Sequence, residues 1–391
     1  MGVGLNMTAN PARMVLCWNH GSSSVKFAVY EIGDEERRSI TGGVRFRTPG
    51  QSELWLEDAG VAASLHVGDE NPAKLACDAI ERGLLPRPEI IGHRIVHGGP
   101  YLTAHCRLDD GKITVLRDAV PYAPLHLPEQ IQAIEVFLEQ LPKIHQVACF
   151  DTVFHRSMPD IARMFPLPLE YGNHGVVRYG FHGLSYEYVT GALEDTLGAK
   201  AVIAHLGAGA SMVALRNGRP VDTTMGLTPT GGLMMGTRSG DLDPGLLIYL
   251  LRQHGFSPDR IERLVNHEAG LLGVSGVTAD MKTLLEDGSA NAVLAVDMFC
   301  HHARKHIAAL SATLGGLETL VFTGGIGERS AVVRDKICRG LAFLGIKLDH
   351  SRNCRNESSV GISGAPCAVR VIETNEELII ARHAVNFAER R

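Results

Sequence analysis

Two short apolar runs separated by a small, glycine-containing segment stand near the start of the chain. Met14–Trp18 and Val25–Tyr30 are apolar, and Asn19–Ser24 between them is rich in glycine and serine. Apolar runs of this length bounded by turn residues are typical of strands. The pattern therefore predicts a strand, a tight loop and a second strand.

The same pattern returns far along the chain. Ala201–Ala204 and Met212–Leu215 are apolar, and the segment between them, His205–Ser211, is small and Gly-rich. The two stretches align when Gly21 is placed over Gly207. We interpret the recurrence as two similar α/β domains, each opening with a β-hairpin. Two unrelated hairpins in a chain with 43 glycines remain an alternative.

Strand-like and helix-like stretches alternate elsewhere, which favours mostly parallel sheets. The predicted strands are Ile90–Ile95, Gln146–Phe150, Thr319–Phe322 and Ala368–Ile372. The predicted helices are Pro128–Leu141, Tyr186–Leu197, Ser330–Leu344 and Glu376–Arg391. Thr323–Glu328 is predicted as a third Gly-rich turn.

Composition limits the kind of partner. The 391-residue chain is 45% hydrophobic and 21% charged, with a net charge of -5. The absence of a basic excess argues against nucleic acid and anionic membranes as partners. A small anionic substrate would have to be held by local arginines, because the overall field does not attract it.

Cysteine usage and the chain start bear on location. The eight cysteines form no C-x-x-C pair, which predicts reduced, mostly buried thiols in the cytoplasm. No stretch approaches the roughly 18 apolar residues that a membrane span needs. Residues 1–13 lack the apolar core of a signal peptide, so we expect an N-terminal leader that is a candidate for disorder, with Met14 as an alternative start.

Three loops have the composition of phosphate-binding segments. Asn19–Ser24 with Lys26 offers backbone N–H groups, hydroxyls and a cation. The Gly-rich loops near Gly207 and Gly325 are similar, but Met212 and Ser330 stand where a dinucleotide fingerprint needs glycine. No P-loop sequence occurs. Plain Gly/Ser turns remain an alternative for each loop.

Four side chains in these surroundings suit anion chemistry. Arg94 and Arg238 lie beside glycines, and a guanidinium fork matches carboxylate or phosphate oxygens bidentately. Asp151 directly follows a predicted buried strand, and His182 stands between two glycines, Gly180 and Gly183. The alternatives are solvated arginines, a capping aspartate and a surface histidine. Zinc at His93 and His97 is disfavoured, because no third ligand lies nearby in the sequence.

Taken together, these segments resemble the acetate kinase family of the acetate and sugar kinase, Hsp70 and actin superfamily. The resemblance covers the chain from about Met14 to Ala381 and rests on several motifs: Asn19–Lys26, Gly92–Gly99, Ala123–His126, Phe150–His155, Arg178–Gly183, Asp222–Pro244, Phe322–Glu328 and Thr374–Glu377. The run Met234–Asp241 is the most specific of them.

The resemblance implies an α/β fold of two duplicated, ribonuclease H-like (actin-like ATPase) domains with an active-site cleft between them. It places the first domain at residues 14–152, with a C-terminal helix, 376–391, packing back on it, and a nucleotide-binding domain at 153–375. It further implies a cytoplasmic homodimer without nucleic-acid or membrane partners.

The resemblance also implies an activity and its residues. The activity is reversible transfer of the ATP γ-phosphoryl group to acetate, with Mg²⁺ or Mn²⁺ held by Asn19 and Glu376. The implied catalytic residues are Asp151, Arg94, Arg238, His182 and His126. The implied acyl pocket is lined by Arg94, Val96, Leu125, Phe181 and Pro229. The implied nucleotide contacts are Ser22, Ser24, Lys26, His205, Leu206, Gly207, Ala208, Gly209, Asp280, Met281, Lys282, Gly325, Ile326, Gly327, Glu328 and Arg329.

The chain departs from the family pattern mainly around the nucleotide. Ala208 stands where the family usually has asparagine, Lys282 where it has arginine, and Arg329 where it has asparagine. Leu127, Leu184, Tyr186 and Thr230–Gly232 are further departures. Pyrophosphate therefore remains an alternative phosphoryl donor. Propionate or butyrate remains an alternative acceptor, although Val96 leaves little room beyond a methyl group. A sugar kinase, an Hsp70-like chaperone and an inactive relative fit the two arginines and the chain length less well.

Overall fold

The computed structural model describes residues 12–21, 24–48, 51–58, 61–67 and 71–388. The described residues form two compact units. The first runs up to Val153 and resumes at Asn375, and the second is the continuous stretch Phe154–Thr374. These divisions lie one residue from the predicted domain boundaries; that the units are independent domains remains a prediction. Arg13, the last residue of the predicted leader, already belongs to the first strand.

The two units contain thirteen described strands and fifteen described α-helices. The strands are β1 Arg13–His20, β2 Ser24–Ile32, β3 Glu36–Thr48, β4 Gln51–Asp58, β5 Val61–Val67, β6 Ile90–Ile95, β7 Cys106–Arg107, β8 His145–Phe150, β9 Lys200–Leu206, β10 Ala210–Arg216, β11 Arg219–Thr223, β12 Thr319–Thr323 and β13 Ala368–Val371. The helices are α1 Pro72–Glu81, α2 Asp110–Asp118, α3 Leu127–Gln140, α4 Asp160–Arg163, α5 Leu169–Asn173, α6 Gly183–Ala192, α7 Pro244–Gln253, α8 Pro258–Arg263, α9 Gly270–Ser275, α10 Met281–Asp287, α11 Ala290–Leu314, α12 Gly324–Arg329, α13 Ala331–Cys338, α14 His350–Cys354 and α15 Glu376–Ala388.

The two sheets share one topology. The sheet of the first unit has the order β5-β4-β3-β2-β1-β6-β8-β7, and that of the second has the order β11-β10-β9-β12-β13. In both, a hairpin of antiparallel strands (β1 with β2, β9 with β10) is followed by parallel neighbours (β6 and β8, β12 and β13). The third strand is antiparallel in each case. The predicted α/β class with a recurring hairpin is confirmed by this match.

Helices cover both faces of the first sheet. Trp18 is buried between Phe27, which it stacks on at 5.7 Å, and Phe137 of α3, which it meets edge-on at 5.1 Å. On the other face, α15 packs on β1, β6 and β8. The approach is close, because a β-carbon at Gly92 of β6 would lie 2.5 Å from Cγ2 of Ile380. The last helix of the chain is therefore part of the core of the first unit.

The second sheet is packed between α6 and α11. The strand residues Ala201 and Ile203 are fully buried and belong to one apolar cluster with Tyr186 and Val189 of α6 and with Leu193 directly after that helix. These α6 positions recur at a helical period, which explains why the sequence predicted a helix here. On the opposite side, the long helix α11 packs on β9 and β10.

Three predicted elements differ from the structure. The helix predicted over Ser330–Leu344 is α13, which ends at Cys338 and is followed by a separate 3₁₀ turn at Ala342–Leu344. The helix predicted over Tyr186–Leu197 runs from Gly183 to Ala192, because Gly183 and Ser185 in its first turn interrupt the apolar period on which the prediction rested. The segment predicted as a Gly-rich turn forms the short helix α12, although Gly324 does turn the chain sharply at φ 74°. The Glu328 carboxylate accepts from Gly324 N at 2.8 Å, which satisfies an N–H that the helix leaves unpaired.

All eight cysteines are free thiols, and six are buried: Cys17, Cys77, Cys149, Cys300, Cys338 and Cys367. The prediction of reduced, mostly buried thiols agrees with this. Within the part of the chain that the structure describes, no helix has both the length and the apolar character needed to cross a membrane.

Candidate functional site

The carboxyl ends of three neighbouring strands bring polar side chains together in the first unit. Asn19 lies near the end of β1 and Arg94 near the end of β6, and Asp151 directly follows β8. The three strands are adjacent and parallel. Reactive groups of α/β sheets are found at such ends. We call Asn19, Arg94, Asp151 and Glu376 the arginine–aspartate cluster.

Arg94 and Asp151 form the centre of this cluster. Nε of Arg94 donates to both carboxylate oxygens of Asp151, at 3.2 and 3.1 Å, and Nη2 donates to Oδ2 at 2.7 Å. The aspartate side chain is 1% exposed and the arginine side chain 15%. The pairing is of the fork type, which fixes the plane of the guanidinium.

The first residues of α15 complete the cluster. Nη1 of Arg94 donates to Oδ1 of Asn19 at 3.0 Å and lies 3.6 Å from Oε2 of Glu376. The Asn19 amide nitrogen donates to Glu376 and to Glu377, at 3.1 Å each. The end of the chain therefore supplies carboxylates to a site whose other members come from the first half.

The charge of Arg94 is secured by its neighbours. Burial alone would lower the pKa of its guanidinium, but the Asp151 and Glu376 carboxylates together raise that pKa above its usual range. Arg94 is consequently a permanent cation that Asp151, Asn19 and Glu376 hold in one orientation.

The donor set around Glu376 fits a magnesium ion. Mg²⁺ prefers oxygen ligands and keeps several waters, and the Glu376 and Glu377 carboxylates both approach the same amide. Asn19, in contrast, directs its carbonyl oxygen to Arg94. Glu376 is thus suited to hold the ion, and Asn19 to act through a water molecule.

The other predicted residues of the first unit lie near these strand ends. Val96, which follows β6, is buried, and its backbone N–H donates to Gln130 of α3 at 3.1 Å. His126, also buried, is the residue before α3, and Leu125 beside it is half-buried. Lys26 pairs with Asn19 across the β1–β2 hairpin and is exposed. Ser22 and the side chain of Ser24 lie outside the described residues.

A second group of predicted residues lies together in the second unit. The β9–β10 hairpin turns at Gly207–Gly209, where Gly207 N donates to Gly209 O at 3.1 Å. A β-carbon at Gly207 would lie 4.0 Å from the backbone nitrogen of Gly325, so this loop and the start of α12 are neighbours. His205 and Leu206 end strand β9 beside them. We call this group, with His182 and Arg238, the glycine-loop cluster.

His182 and Arg238 point at the same glycine. A β-carbon at Gly209 would lie 3.5 Å from Nε2 of His182 and 3.7 Å from Nη1 of Arg238. Arg238 also donates from Nη1 to the carbonyl of Pro229 at 3.3 Å, and Phe181 is buried next to His182. The imidazole and the guanidinium are therefore placed to act on one group above the glycine loop.

The remaining predicted nucleotide residues divide into exposed and inward-facing side chains. Lys282 and Arg329 are exposed, whereas Met281 is 4% exposed and offers a ligand only its backbone. The carboxylate of Asp280 accepts from Thr283 N, which lowers its pKa and begins α10. Ala208 lies at the exposed tip of the loop, and its carbonyl accepts from Gly236 N at 3.0 Å.

The disfavoured histidine pair has other partners. His93 contacts Oε1 of Gln146 at 2.6 Å, and burial lowers its pKa to about 4. His97 Nδ1 accepts from Gly99 N at 2.8 Å. Both rings therefore serve the core around β6.

Sequence reasoning missed several residues that support these clusters. Gln130, Ser211 and Arg334 gave no signal, because their roles depend on contacts between segments distant in sequence. Glu377 and Tyr186 stood in motifs that were recognised, but no role was assigned to either side chain. A polar residue at a position where the helical period requires an apolar one would have been the only signal for Gln130.

Comparison with known proteins agrees with this arrangement. The model of the acetokinase family matches residues 14–382. An acetate kinase of Rippkaea orientalis is 43% identical over 402 residues, which cover 95% of this chain and 99% of that protein. Among solved structures, a propionate kinase from Francisella tularensis is 34% identical with a TM-score of 0.88, covering 96% of this chain and 100% of that one. Acetate kinase from Porphyromonas gingivalis is 34% identical with a TM-score of 0.83 at the same coverage.

These matches confirm both the predicted resemblance and the predicted fold class, since the fold of these kinases is of the actin-like ATPase type. The match to the family model leaves only short stretches at the two ends uncovered. The chain therefore belongs to the acetokinase family.

Proposed function

We propose that the chain is an acetate kinase, which transfers the γ-phosphoryl group of ATP directly to the carboxylate of acetate and gives acetyl phosphate and ADP. The observation that carries the proposal is the Arg94–Asp151 ion pair. In it the buried Asp151 carboxylate fixes the orientation of the permanently charged Arg94 guanidinium. Family membership supports the same reaction.

Phosphoryl transfer to a carboxylate requires little from the protein beyond electrostatic stabilisation and positioning of the substrates. A carboxylate is already ionised at neutral pH, so it needs no general base to attack phosphorus. The obstacles are repulsion between two anions and the charge that spreads over the moving phosphoryl group. Cations and hydrogen-bond donors fixed in advance stabilise that charge without reorganising.

Each cluster supplies part of this stabilisation. Of the five N–H groups of the Arg94 guanidinium, Asp151 and Asn19 engage three, which leaves two for substrate oxygens among the described contacts. Arg238 and Nε2 of His182 would contact the oxygens of the transferring phosphoryl group, and His126 would assist. Asp151 would keep Arg94 in the orientation that receives the acyl carboxylate.

A magnesium ion at Glu376, with Asn19 behind a water, would neutralise charge on the nucleotide phosphates when it is bound. The protein's part is to present the carboxylate at the start of α15, where Asn19 holds it at 3.1 Å. The Gly-rich loops at Gly207–Gly209 and Gly325–Arg329 would hold the nucleotide, with Asp280–Lys282 near the adenosine.

The acceptor is tested by the rate of ADP release with Mg-ATP and acetate, propionate or butyrate at matched concentrations. Val96 is buried at the proposed pocket, and one methylene is worth only about 1–3 kcal/mol. We expect acetate to lead propionate by about tenfold or more. A higher rate with propionate or butyrate would change the proposed acceptor but leave the proposed phosphoryl transfer to a carboxylate in place. No acid-dependent ADP release would overturn the proposal as written.

Pyrophosphate is a second candidate phosphoryl donor. The exposed Ala208 favours it, because an alanine side chain has no amide that could contact the phosphates of a nucleotide donor. Rates with ATP, GTP and pyrophosphate at fixed acetate decide between the donors. We expect ATP to lead, and activity with pyrophosphate alone would overturn that expectation.

We also propose that the chain forms a homodimer and works in the cytoplasm. None of the residues of α7 is buried, and its apolar side chains Leu246, Ile248, Tyr249 and Leu251 are 40 to 54% exposed. An exposed apolar helix of this kind favours contact with another protein surface. The eight free thiols agree with a reducing compartment.

A further inference from the structure

His182 has a backbone conformation that few non-glycine residues adopt. Its φ is 57° and its ψ is 26°, in the left-handed region, directly before the first residue of α6. This conformation is unfavourable for a residue with a β-carbon, so the surroundings must hold it. Such outliers are concentrated at functional sites.

The backbone on both sides of His182 is fixed. His155 is buried, and burial lowers its pKa to about 4, so its ring is neutral near pH 7. Its Nε2 donates to the carbonyl of Phe181 at 2.9 Å. The carbonyl of His182 itself accepts from Tyr186 N at 3.0 Å, which is the first hydrogen bond of α6.

The imidazole ring of His182 is fixed as well. Its Nδ1 lies 2.8 Å from Oγ of Ser211, and the same hydroxyl lies 2.5 Å from the phenol oxygen of Tyr186. Ser211 and Tyr186 are both 0% exposed. The ring also stacks on His205 at 4.2 Å with an interplanar angle of 12°.

The direction of these two hydrogen bonds decides which ring nitrogen carries the proton. A phenol is a stronger acid than an aliphatic hydroxyl, so Tyr186 is the better donor to Ser211. A serine has one proton. With its oxygen accepting from Tyr186, Ser211 donates that proton to Nδ1 of His182, and the neutral ring then carries its own proton on Nε2.

We propose that Tyr186 and Ser211 form a positioning relay that holds His182 as the Nε2–H tautomer. Nε2 is the atom directed at the glycine loop, 3.5 Å from a β-carbon at Gly209 and beside the Arg238 guanidinium. The opposite tautomer would present a bare lone pair there, which repels an anionic phosphoryl oxygen. This role rests on the proposed phosphoryl transfer, whereas the tautomer itself does not.

The kinetic test uses Tyr186→Phe and Ser211→Ala, alone and combined with His182→Ala. Each single change should lower kcat by about tenfold, as expected for one hydrogen bond near developing charge, with KM for ATP and acetate changed less than twofold. In the His182→Ala background, neither change should lower kcat further. Tyr188→Phe, the same substitution on the same helix, is the matched control.

Two kinetic results would overturn the relay. One is an equal loss of kcat from Tyr186→Phe in the presence and absence of His182, which would indicate a structural role in α6. The other is a rise in KM with kcat unchanged, since the relay acts on the transferring group and not on ground-state binding.

A spectroscopic test is independent of activity. The ¹⁵N shifts of histidine ring nitrogens distinguish the two neutral tautomers, and the His182 pair is identified as the one missing from His182→Gln. Near pH 8, where a histidine of ordinary pKa is neutral, we expect the Nε2–H pattern in the wild-type protein and a mixture of tautomers in Tyr186→Phe and Ser211→Ala. An Nδ1–H pattern in the wild type would refute the relay, even if all three acids failed as substrates.

Discussion

At the scale of single residues, the site depends on arginines whose surroundings differ. Arg94 is paired with a buried carboxylate, so its orientation and charge are set before substrate arrives. Arg238 is held by a backbone carbonyl and a loop. Fixed donors of this kind stabilise a transition state because they need no rearrangement.

We predict that Arg94→Lys and Arg238→Ala each lower kcat at least about a hundredfold. Lysine keeps the positive charge but loses the forked pair of N–H donors, and alanine loses both. Lysine is chosen at position 94 because truncation to alanine would leave the Asp151 carboxylate buried without its cation and destabilise the fold. Initial rates of ADP release measure the effect. Arg37→Ala, at an arginine whose side chain is 70% exposed, is the control. Turnover close to wild type in both variants would remove these residues from the mechanism.

Arg334 is buried without a carboxylate partner among its described contacts. Its guanidinium donates to the carbonyls of Gly327 and Glu328 at 2.8 and 2.9 Å, and to backbone and side-chain oxygens of Asn353 and Asn356. It is 0% exposed, and burial lowers its pKa. Arg334 therefore joins the end of α12 to α14 and to the residues directly after it.

We predict that Arg334→Met lowers the free energy of unfolding by about 3 kcal/mol, because several buried oxygens lose their donors. Urea unfolding measures this change, and the affinity for ADP should fall in parallel as α12 loses its support. Arg339→Met, at a side chain 75% exposed, should change neither quantity appreciably. A stable Arg334→Met protein with normal ADP affinity would contradict this account.

The sequence allowed prediction of which polar residues stand at the strand ends but not of the residues that hold them in place. Asp151 could be predicted because it follows an apolar run, and parallel strands place their ends together. The Tyr186–Ser211 contact could not, because it depends on the left-handed turn at His182 and on the β9–β10 register that pairs Ser211 with His205. No local pattern encodes either feature.

At the scale of elements, apolar runs predicted the central strands well and the outer ones poorly. β1, β6 and β8 are buried on both faces and therefore read as continuous apolar segments. β4 was not predicted, because its apolar run is only three residues long, Leu54–Leu56, and stands between Glu53 and Glu57. The beginnings of α6 and α12 were misjudged because glycines and capping groups, not apolar periodicity, determine them.

The attachment of α15 to β3 includes an ion pair that responds to pH. Arg382 donates to both carboxylate oxygens of Glu36 at 2.7 Å, and this bonding lowers the pKa of Glu36. The folded-state pKa lies below the unfolded value of about 4.3. The pair therefore stabilises the fold above that value, and its contribution disappears as the pH falls through the folded-state pKa.

We predict that Arg382→Ala lowers the free energy of unfolding at pH 7 by about 0.5–1 kcal/mol, since both side chains are partly exposed to screening solvent. The difference from wild type should shrink toward zero as the pH falls below about 4. Unfolding curves at several pH values test this, with Arg37→Ala as the control for an exposed pair. A difference that persists in acid would indicate lost packing of the arginine stem, not lost pairing.

At the scale of the whole molecule, the repeat seen in the sequence corresponds to five strands in each sheet that share their order and direction, β3-β2-β1-β6-β8 in the first and β11-β10-β9-β12-β13 in the second. A hairpin followed by strand–helix alternation was sufficient to predict this architecture. The surface that would join two copies could not be predicted, because the sequence pattern of an apolar helix is the same whether the helix is buried in a core or exposed to solvent.

We predict that Ile248→Asp combined with Tyr249→Asp converts a homodimer into a monomer. If α7 forms the interface, dimerisation would bury two unpaired carboxylates there, which is unfavourable. Sedimentation or light scattering of the purified chain measures the mass. Tyr101→Asp, at a tyrosine 77% exposed in the first unit, should leave the mass unchanged. A monomeric wild type would exclude the dimer, and a dimeric double variant would exclude α7.

The first unit is assembled from both ends of the chain, which has a consequence for synthesis. Its sheet is translated early, but α15, which packs on β1, β6 and β8 and carries Glu376, follows the whole second unit. On the ribosome, the second unit is complete as a continuous stretch while the first still exposes the apolar sheet face that Ile380 will cover. A nascent chain thus has Arg94 in place but not Glu376, so under the proposed function it would gain activity only after α15 has left the ribosome and docked.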